Sequence, residues 1–253
     1  MGGAGLRVMT LNVRMVRAAD GPNHWPNRAG LCARVVRRQA PDLIGFQELQ
    51  QEHLEDLEPV LSGYERWLGL DASSAVRPEH QALFWRAGAF ELLERGSFYL
   101  SETPDRWSTG WDAACPRVAT WARLRPAGWP GDLVVCDTHL DFEGPRARLQ
   151  GAELIAGRLP RGRAEILAGD FNAPPDGEVH RLLAEAGFAD AYRGPEQPTV
   201  HGFRGAATRR RHRIDWILVR GALRVRSCRI VRDAEPPLYP SDHYPVVAEV
   251  GLG

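Results

Sequence analysis

Apolar residues in this chain gather in short runs separated by glycine, proline, asparagine and aspartate. The stretch Leu6 to Val13 alternates and predicts a strand ending at Asn12. From Asn27 to Gln39 the spacing becomes helical, with Leu31, Val35 and Val36 toward a core and Pro41 as the stop. Asp42 to Phe46 predicts a short buried strand that delivers Glu48, and Gln51 to Leu61 a second helix. Gln81 to Trp85 and Phe90 to Tyr99 predict strands, and Trp121 to Leu124 with Leu133 to Thr138 an antiparallel pair around the turn at 126–131. Pro145 to Leu159 predicts a helix with Leu149, Ile155 and Leu159 inward. Ala164 to Ala168 is a buried strand feeding Gly169-Asp170, and Val179 to Ala186 is helical. Ile214 to Val219, Val225 to Val231 and Val246 to Val250 close the chain as strands. Many strands with a few helices on each side predict an α/β fold, a four-layer sandwich of two mostly antiparallel sheets flanked by helices. Long loops are expected at Asp20–Arg28, Asp71–Glu79, Ser101–Pro116 and Pro195–Arg213; loops of this length in a compact domain carry function or are disordered.

Size and composition narrow the reading. A chain of 253 residues that is 43% hydrophobic can bury one substantial core. The chemically interesting residues run from Asn12 to His243, so both ends must meet in one site, and a single domain over 1–253 is expected. Basic and acidic residues balance at 32 each, which disfavours affinity built mainly on the phosphate backbone of DNA. All of its fixed cations are arginines, a usage that a GC-rich genome explains without selection for phosphate. Cys32, Cys115, Cys136 and Cys228 stand far apart, without the spacing of a zinc knuckle. The N-terminus lacks a charged segment followed by an apolar one, and no apolar stretch approaches the ~20 residues of a membrane span. A monomer in a reduced cytoplasmic setting, not inserted in a membrane, is expected.

The residues at the ends of the apolar runs supply candidate chemistry. Glu48 follows a buried strand, where a carboxylate is held rigidly enough to ligate a metal; a solvated loop glutamate is the plainer alternative. Asp170 and Asn172 stand two apart, which on extended backbone puts both side chains on one side; turn formation before Pro174-Pro175 explains them equally well. His139 ends one strand. Asp215 lies among Ile214, Trp216 and Ile217 and needs a partner. His243, beside Asp242, is the natural one, since a carboxylate fixes the tautomer and raises the pKa of a histidine.

Taken in order, TLNVR (10–14), DLIGFQE (42–48), THLD (138–141), LAGDFNAPP (167–175), RRHRIDWILV (210–219) and YPSDHYPVVAEV (239–250) resemble the endonuclease/exonuclease/phosphatase, or DNase I-like, superfamily over essentially the whole chain. The stretches around 20–28 and 100–117 look like a bacterial branch of it with unsettled substrates. The resemblance implies a four-layer sandwich and dependence on Mg²⁺ or Mn²⁺. It implies Glu48, Asn12 and Asp242 at the metal. It implies Asp170 and Asn172 on the attacking water or phosphate, His139 on the phosphate, and Asp215 paired with His243. Either Asp170 or the His243–Asp215 pair is then the base. Where abasic-site endonucleases of the superfamily carry an acidic residue, this chain has Arg14, which suits a more heavily charged phosphate. Arg14 and Arg117 are further candidates for substrate contact, and Glu79 and His80 for approach to the cleft.

The expected function is therefore metal-dependent phosphoester hydrolysis, on a phosphorylated small molecule in the first instance. A nuclease acting on DNA or RNA is the alternative, supported by the run Arg209-Arg210-Arg211-His212-Arg213. A non-catalytic phosphate-binding protein is the third reading.

Overall fold

The computed structural model describes residues 5–72 and 78–253. Strands β1 (Leu6–Asn12) and β2 (Leu43–Leu49) are parallel neighbours joined through helix α1 (Trp25–Gln39). After α2 (Gln51–Leu61), strands β3 (Tyr64–Trp67) and β4 (His80–Arg86) complete one side of this sheet. The second sheet begins with β5 (Phe90–Tyr99), β6 (Val118–Pro126) and β7 (Leu133–His139). Helix α3 (Pro145–Arg158) then crosses to β8 (Ala164–Asp170), parallel to β7. Helix α4 (Glu178–Glu185) leads to the two-residue β9 (Ala189–Asp190) and to β10 (Asp215–Gly221). Finally β11 (Leu223–Ile230) and β12 (Val246–Leu252) return to the first sheet, where β12 pairs antiparallel with β1. The orders are β11-β12-β1-β2-β4-β3 and β5-β6-β7-β8-β10-β9. Each sheet is thus antiparallel apart from one central parallel pair with a helical crossover.

Burial explains the four layers. Strands β2, β7 and β8 are buried along their whole length, as expected of strands covered on both faces. Along β1, Leu6 and Val8 pack between the sheets with Val135, Ile166 and Ile217. Met9 and Leu11 face the other way, onto Val35 and Val36 of α1 and Leu57 of α2. On the second sheet Cys136, Leu167 and Trp216 meet Ile155 of α3 and Leu183 of α4. The layers are therefore helices, sheet, sheet, helices.

Some expectations need correction. The segment 20–28 is no loop: Gly21–Asn23 forms a 3₁₀ turn and α1 starts at Trp25. Pro22 and Pro26 sit in first turns, where their missing N–H groups cost nothing. Strand β2 continues through Glu48 instead of stopping at Phe46. On α3, Leu149 is only half-buried, and Ala147, Gly151, Ala152 and Ile155 form the inner face. Of the segment 71–79, positions 73–77 lie outside the described residues. The four cysteines are free thiols. Among the described residues no helix is long and apolar enough to cross a membrane.

Candidate functional site

Three adjacent strands of the second sheet put three ionisable side chains in one row. In the parallel β7–β8 pair, His139 lies beside Asp170; in the antiparallel β8–β10 pair, Asp170 lies beside Asp215. Strand alternation gives them the same face as Val135, Ala168 and Ile217, which pack between the sheets. The row therefore emerges at one end of the inter-sheet space.

Asn12 reaches this row from the other sheet. Its Nδ2 donates to Glu48 Oε1 at 2.9 Å and to Asp170 Oδ2 at 3.1 Å. Glu48 would face α1 and α2, like Ile44 and Phe46, if β2 alternated strictly. Instead the β2–β4 register shifts between Phe46 and Leu49, and Glu48 takes a φ of 58°. This irregularity swings the carboxylate toward Asn12, the way a bulge re-aims a side chain. Met15 N–H donates to its other oxygen at 2.7 Å.

His243 arrives from the loop before β12. Ser241 Oγ donates to Asn12 O at 2.6 Å, fixing that loop on the end of β1. His243 Nδ1 then donates to the two Asp215 oxygens at 3.1 and 3.0 Å. Thr199 Oγ1 steadies Asp215 by accepting its N–H at 3.2 Å. Burial alone would lower the pKa of His243, but Asp215 and Asp170 hold it well above the ordinary histidine value. His139, 3.4 Å from Asp170, goes the other way: burial, Arg117 and His243 keep it neutral, so that contact is not an ion pair. Burial and then Asp215 push Asp170 up to about 7.

Asn172 corrects the extended-backbone expectation. It lies past the end of β8 with a φ of 46°. Its N–H closes a turn onto Asp170 Oδ1 at 3.0 Å, and its Nδ2 donates to Leu140 O at 2.9 Å. Both residues still line one cavity of about 680 Å³, together with Asn12, Glu48, His139 and His243. Asp242, Arg14, Arg117 and Glu79 line it too. Arg14 is no free cation, because its guanidinium lies 3.3 Å from Asp20 and 3.8 Å from Asp242. Arg117 is buried 3.4 Å from Asp141. Burial, then Glu48, raise Glu79 to about 7. His80 departs from expectation: it pairs with Leu49 inside the sheet and does not line the cavity. Asp215 stands behind His243 and acts on the cavity through it.

Residues not singled out from sequence complete the site. Asp141 ends the THLD motif without a role that its sequence position assigns; its Oδ1 accepts the N–H groups of Glu143 and Gly144, and Oδ2 faces Arg117. Met15, Trp107 and Phe142 are 40%, 56% and 57% exposed, and all three lie on the cavity wall. Nothing in their spacing marks them; only the fold brings them together.

The family model described as endonuclease/exonuclease/phosphatase matches residues 9–243. The chain belongs to the endonuclease/exonuclease/phosphatase family. No curated relative matches the sequence. Among solved structures, a family protein from Bacteroides vulgatus is 29% identical, with a TM-score of 0.89, covering 99% of this chain and 100% of that one. A mannosyl-6-phosphatase from Bacteroides thetaiotaomicron is 28% identical, with a TM-score of 0.86 and coverage of 97% and 99%. TDP2 of D. rerio, complexed with a single-stranded DNA product, has a TM-score of 0.79 and coverage of 98% and 99%. At 18% identity that last likeness shows the fold alone.

Enzymes of the endonuclease/exonuclease/phosphatase family hydrolyse phosphoesters with divalent metals. The donors here suit such an ion. Glu48, Asp170 and Asp242 bring carboxylates to one cavity, with the Asn12 amide between Glu48 and Asp170, and carboxylate oxygens are the ligands preferred by Mg²⁺ or Mn²⁺ over softer metals. Crowded carboxylates that raise one another, as Glu48 does Glu79, are what a cation relieves. Asp170, Asp215 and His243 also bring ligand-type atoms within 4.8 Å of one another. There, however, the Nδ1 is already spent on Asp215, so the Glu48 side is the better seat.

Proposed function

We propose that this chain is a divalent-metal-dependent phosphoester hydrolase, a single domain acting as a monomer on a small phosphorylated metabolite. The observation that carries the reading is the meeting of the His139–Asp170–Asp215 row with Asn12, Glu48 and His243 in one cavity. Its volume, about 680 Å³, is that of a small-molecule site. Trp107 and the 114–117 stretch wall it, whereas a nuclease would favour an open groove. The likeness to a mannosyl-6-phosphatase also supports a phosphomonoester of a sugar or similar metabolite.

Glu48, with Asn12 and Asp242, would hold Mg²⁺ or Mn²⁺. When bound, such an ion neutralises charge that develops on the phosphoryl oxygens. Asp170 then orients a water in line with the scissile bond and takes its proton. A carboxylate near 7 suits that task, and Asn12 and the Asn172 N–H hold its oxygens in place. His243, kept protonated by Asp215, offers its Nε2 proton to the phosphate. His139 and Asn172 supply neutral contacts, and Arg117, which shares its charge with Asp141, lines the same cavity. Arg14, shared with Asp20 and Asp242, lends only part of its charge to substrate.

The test offers purified protein with Mg²⁺ or Mn²⁺ a panel of phosphomonoesters, a bis-aryl phosphodiester, plasmid DNA and RNA. Phosphate release is expected from a small ester, lost with EDTA and reduced at least about 10²-fold in Asp170→Asn. Fast DNA nicking that Asp170→Asn abolishes, with the small esters untouched, would instead establish the nuclease reading. Turnover indifferent to EDTA would remove the metal from the mechanism.

A further inference from the structure

A second cavity, of about 370 Å³, opens beside the first and shares Phe142, Asn172, Val200 and His243 with it. The two are therefore continuous, with the exposed Phe142 ring on the wall they share. Their charge differs in kind. Carboxylates Glu48, Glu79, Asp170 and Asp242 line the first cavity. No acidic residue lines the second, which Arg210, Arg211 and His212 cover.

The run of basic residues that covers it is divided by its partners. Arg213 is buried and ion-paired with Asp190 and Glu196. Its own N–H donates to Glu196 Oε1 at 2.8 Å, and the next N–H, of Ile214, donates to Thr199 Oγ1 at 2.9 Å. Arg213 is thus an anchor that fixes the C-terminal end of the loop. Arg210 and Arg211, held just before that anchor, are exposed, and no carboxylate among the described residues pairs with them. Two unpaired guanidiniums over an acid-free cavity make a receptor for an anion, and their forked donors match phosphate or carboxylate.

We infer that this second cavity is a subsite for another anionic group on the alcohol part of the substrate, so that the preferred substrates are metabolites with a second phosphate or carboxylate. The inference rests on phosphoester hydrolysis in the first cavity. The scissile phosphate lies at Asp170 and His243, the body of the substrate passes Phe142, and the second anion meets Arg210 and Arg211. A neighbouring phosphate of a nucleic acid would present the same chemistry, and the test separates the two.

Calorimetric binding of glucose 6-phosphate and glucose 1,6-bisphosphate, with Ca²⁺ in place of Mg²⁺ to suppress turnover, reads the subsite directly. The bisphosphate is expected to bind about tenfold tighter, as one charge-assisted contact warrants. In R210A/R211A the ratio is expected to fall to near one. In R37A/R224A, which removes the same charge from remote exposed positions, the ratio is expected to persist. Equal affinities in the parent protein overturn the subsite, and so does a preference that survives R210A/R211A or that R37A/R224A also erases. A single-stranded oligonucleotide that binds more tightly than the bisphosphate, and loses that advantage in R210A/R211A, overturns the small-molecule assignment. Hydrolysis of para-nitrophenyl phosphate, followed separately, distinguishes the two levels. Its absence with the bisphosphate preference intact removes the hydrolase reading and leaves the subsite; its presence without the preference does the reverse.

Discussion

At the residue scale the Asp215–His243 pair is the part whose role is easiest to isolate. Asp215 lies behind His243 and holds its Nδ1. Removing that charge lowers the His243 pKa, so a step that needs the imidazolium is lost at lower pH. Asp215→Asn is therefore expected to reduce kcat by about 10²–10⁴-fold and to move the alkaline limb of the pH–rate profile down. Because Asp170 sits near 7, the acidic limb should rise as pH climbs through that value as this carboxyl deprotonates. An unmoved alkaline limb would mean that Asp215 is merely structural. The chain betrays the identity of these residues because polar side chains interrupt apolar runs. It conceals their backbone geometry. Glu48 and Asn172 reach the cavity only through left-handed backbone, which alternation does not encode. Glu79 and His80 are neighbours in sequence, yet Glu79 lines the cavity from the segment just before β4 while His80, the first residue of that strand, pairs with Leu49 in the sheet.

At the scale of elements, the boundaries legible in the sequence are those marked by proline, glycine or a long periodic run, such as α2 and β5. The strands that escaped are β3 and β9. The first is a four-residue, largely polar edge strand and the second only two residues long, so neither carries a pattern of its own. Likewise the 20–28 segment reads as a loop until a buried side chain explains its fold. Arg28 of α1 donates to the carbonyls of Asn23, Val13, Pro240 and Arg14 at 2.8–3.1 Å. It ties the helix start to the ends of β1 and the 240s loop, the two segments that carry Asn12 and Asp242. Trp25 and Phe203 cover its guanidinium. Arg28→Met leaves those carbonyls buried without donors. A loss of about 3–5 kcal/mol in urea unfolding is expected, with metal affinity weakened as the two segments separate. A variant as stable as the parent would show that water replaces the guanidinium.

At the scale of the whole molecule, the four-layer plan was legible because each parallel strand pair, with its crossover helix, leaves a continuous apolar signature. The way the sheets face each other was not legible. Between them lie Gln47 and Asp137, joined at 2.6 Å, with Asp137 Oδ2 lacking a partner among the described residues. Burial holds Asp137 well above the ordinary carboxylate range, while burial pushes His53 down to about 3. Their effects on folding have opposite signs. His53 stays neutral when folded, accepting from Gln50 N–H and facing Arg14 O. Its contribution is present above 6.5 and lost as pH falls toward 3, at up to about 1.4 kcal/mol per pH unit. Asp137 contributes fully below the unfolded value of 3.8 and loses its contribution as pH rises through its elevated folded value. Asp137→Asn should therefore gain stability relative to the parent on the alkaline side and show little difference near pH 4. Thermal melts of parent and variant across pH test both signs. A difference that widens toward acid would contradict the assignment for Asp137.

Among the described residues, six non-glycine positions have positive φ, and Arg14, Glu48 and Asn172 on the cavity wall are half of them. Such backbone costs on the order of 1–3 kcal/mol at each residue, and the cavity adds crowded carboxylates. A laboratory screen that selects only for heat resistance would thus be drawn to this wall. It would enrich glycine at these positions, or amides in place of the acids, and so strip the cavity wall of the side chains that the proposed chemistry uses. Engineering of this scaffold must therefore couple every stability selection to a measure of phosphoester hydrolysis.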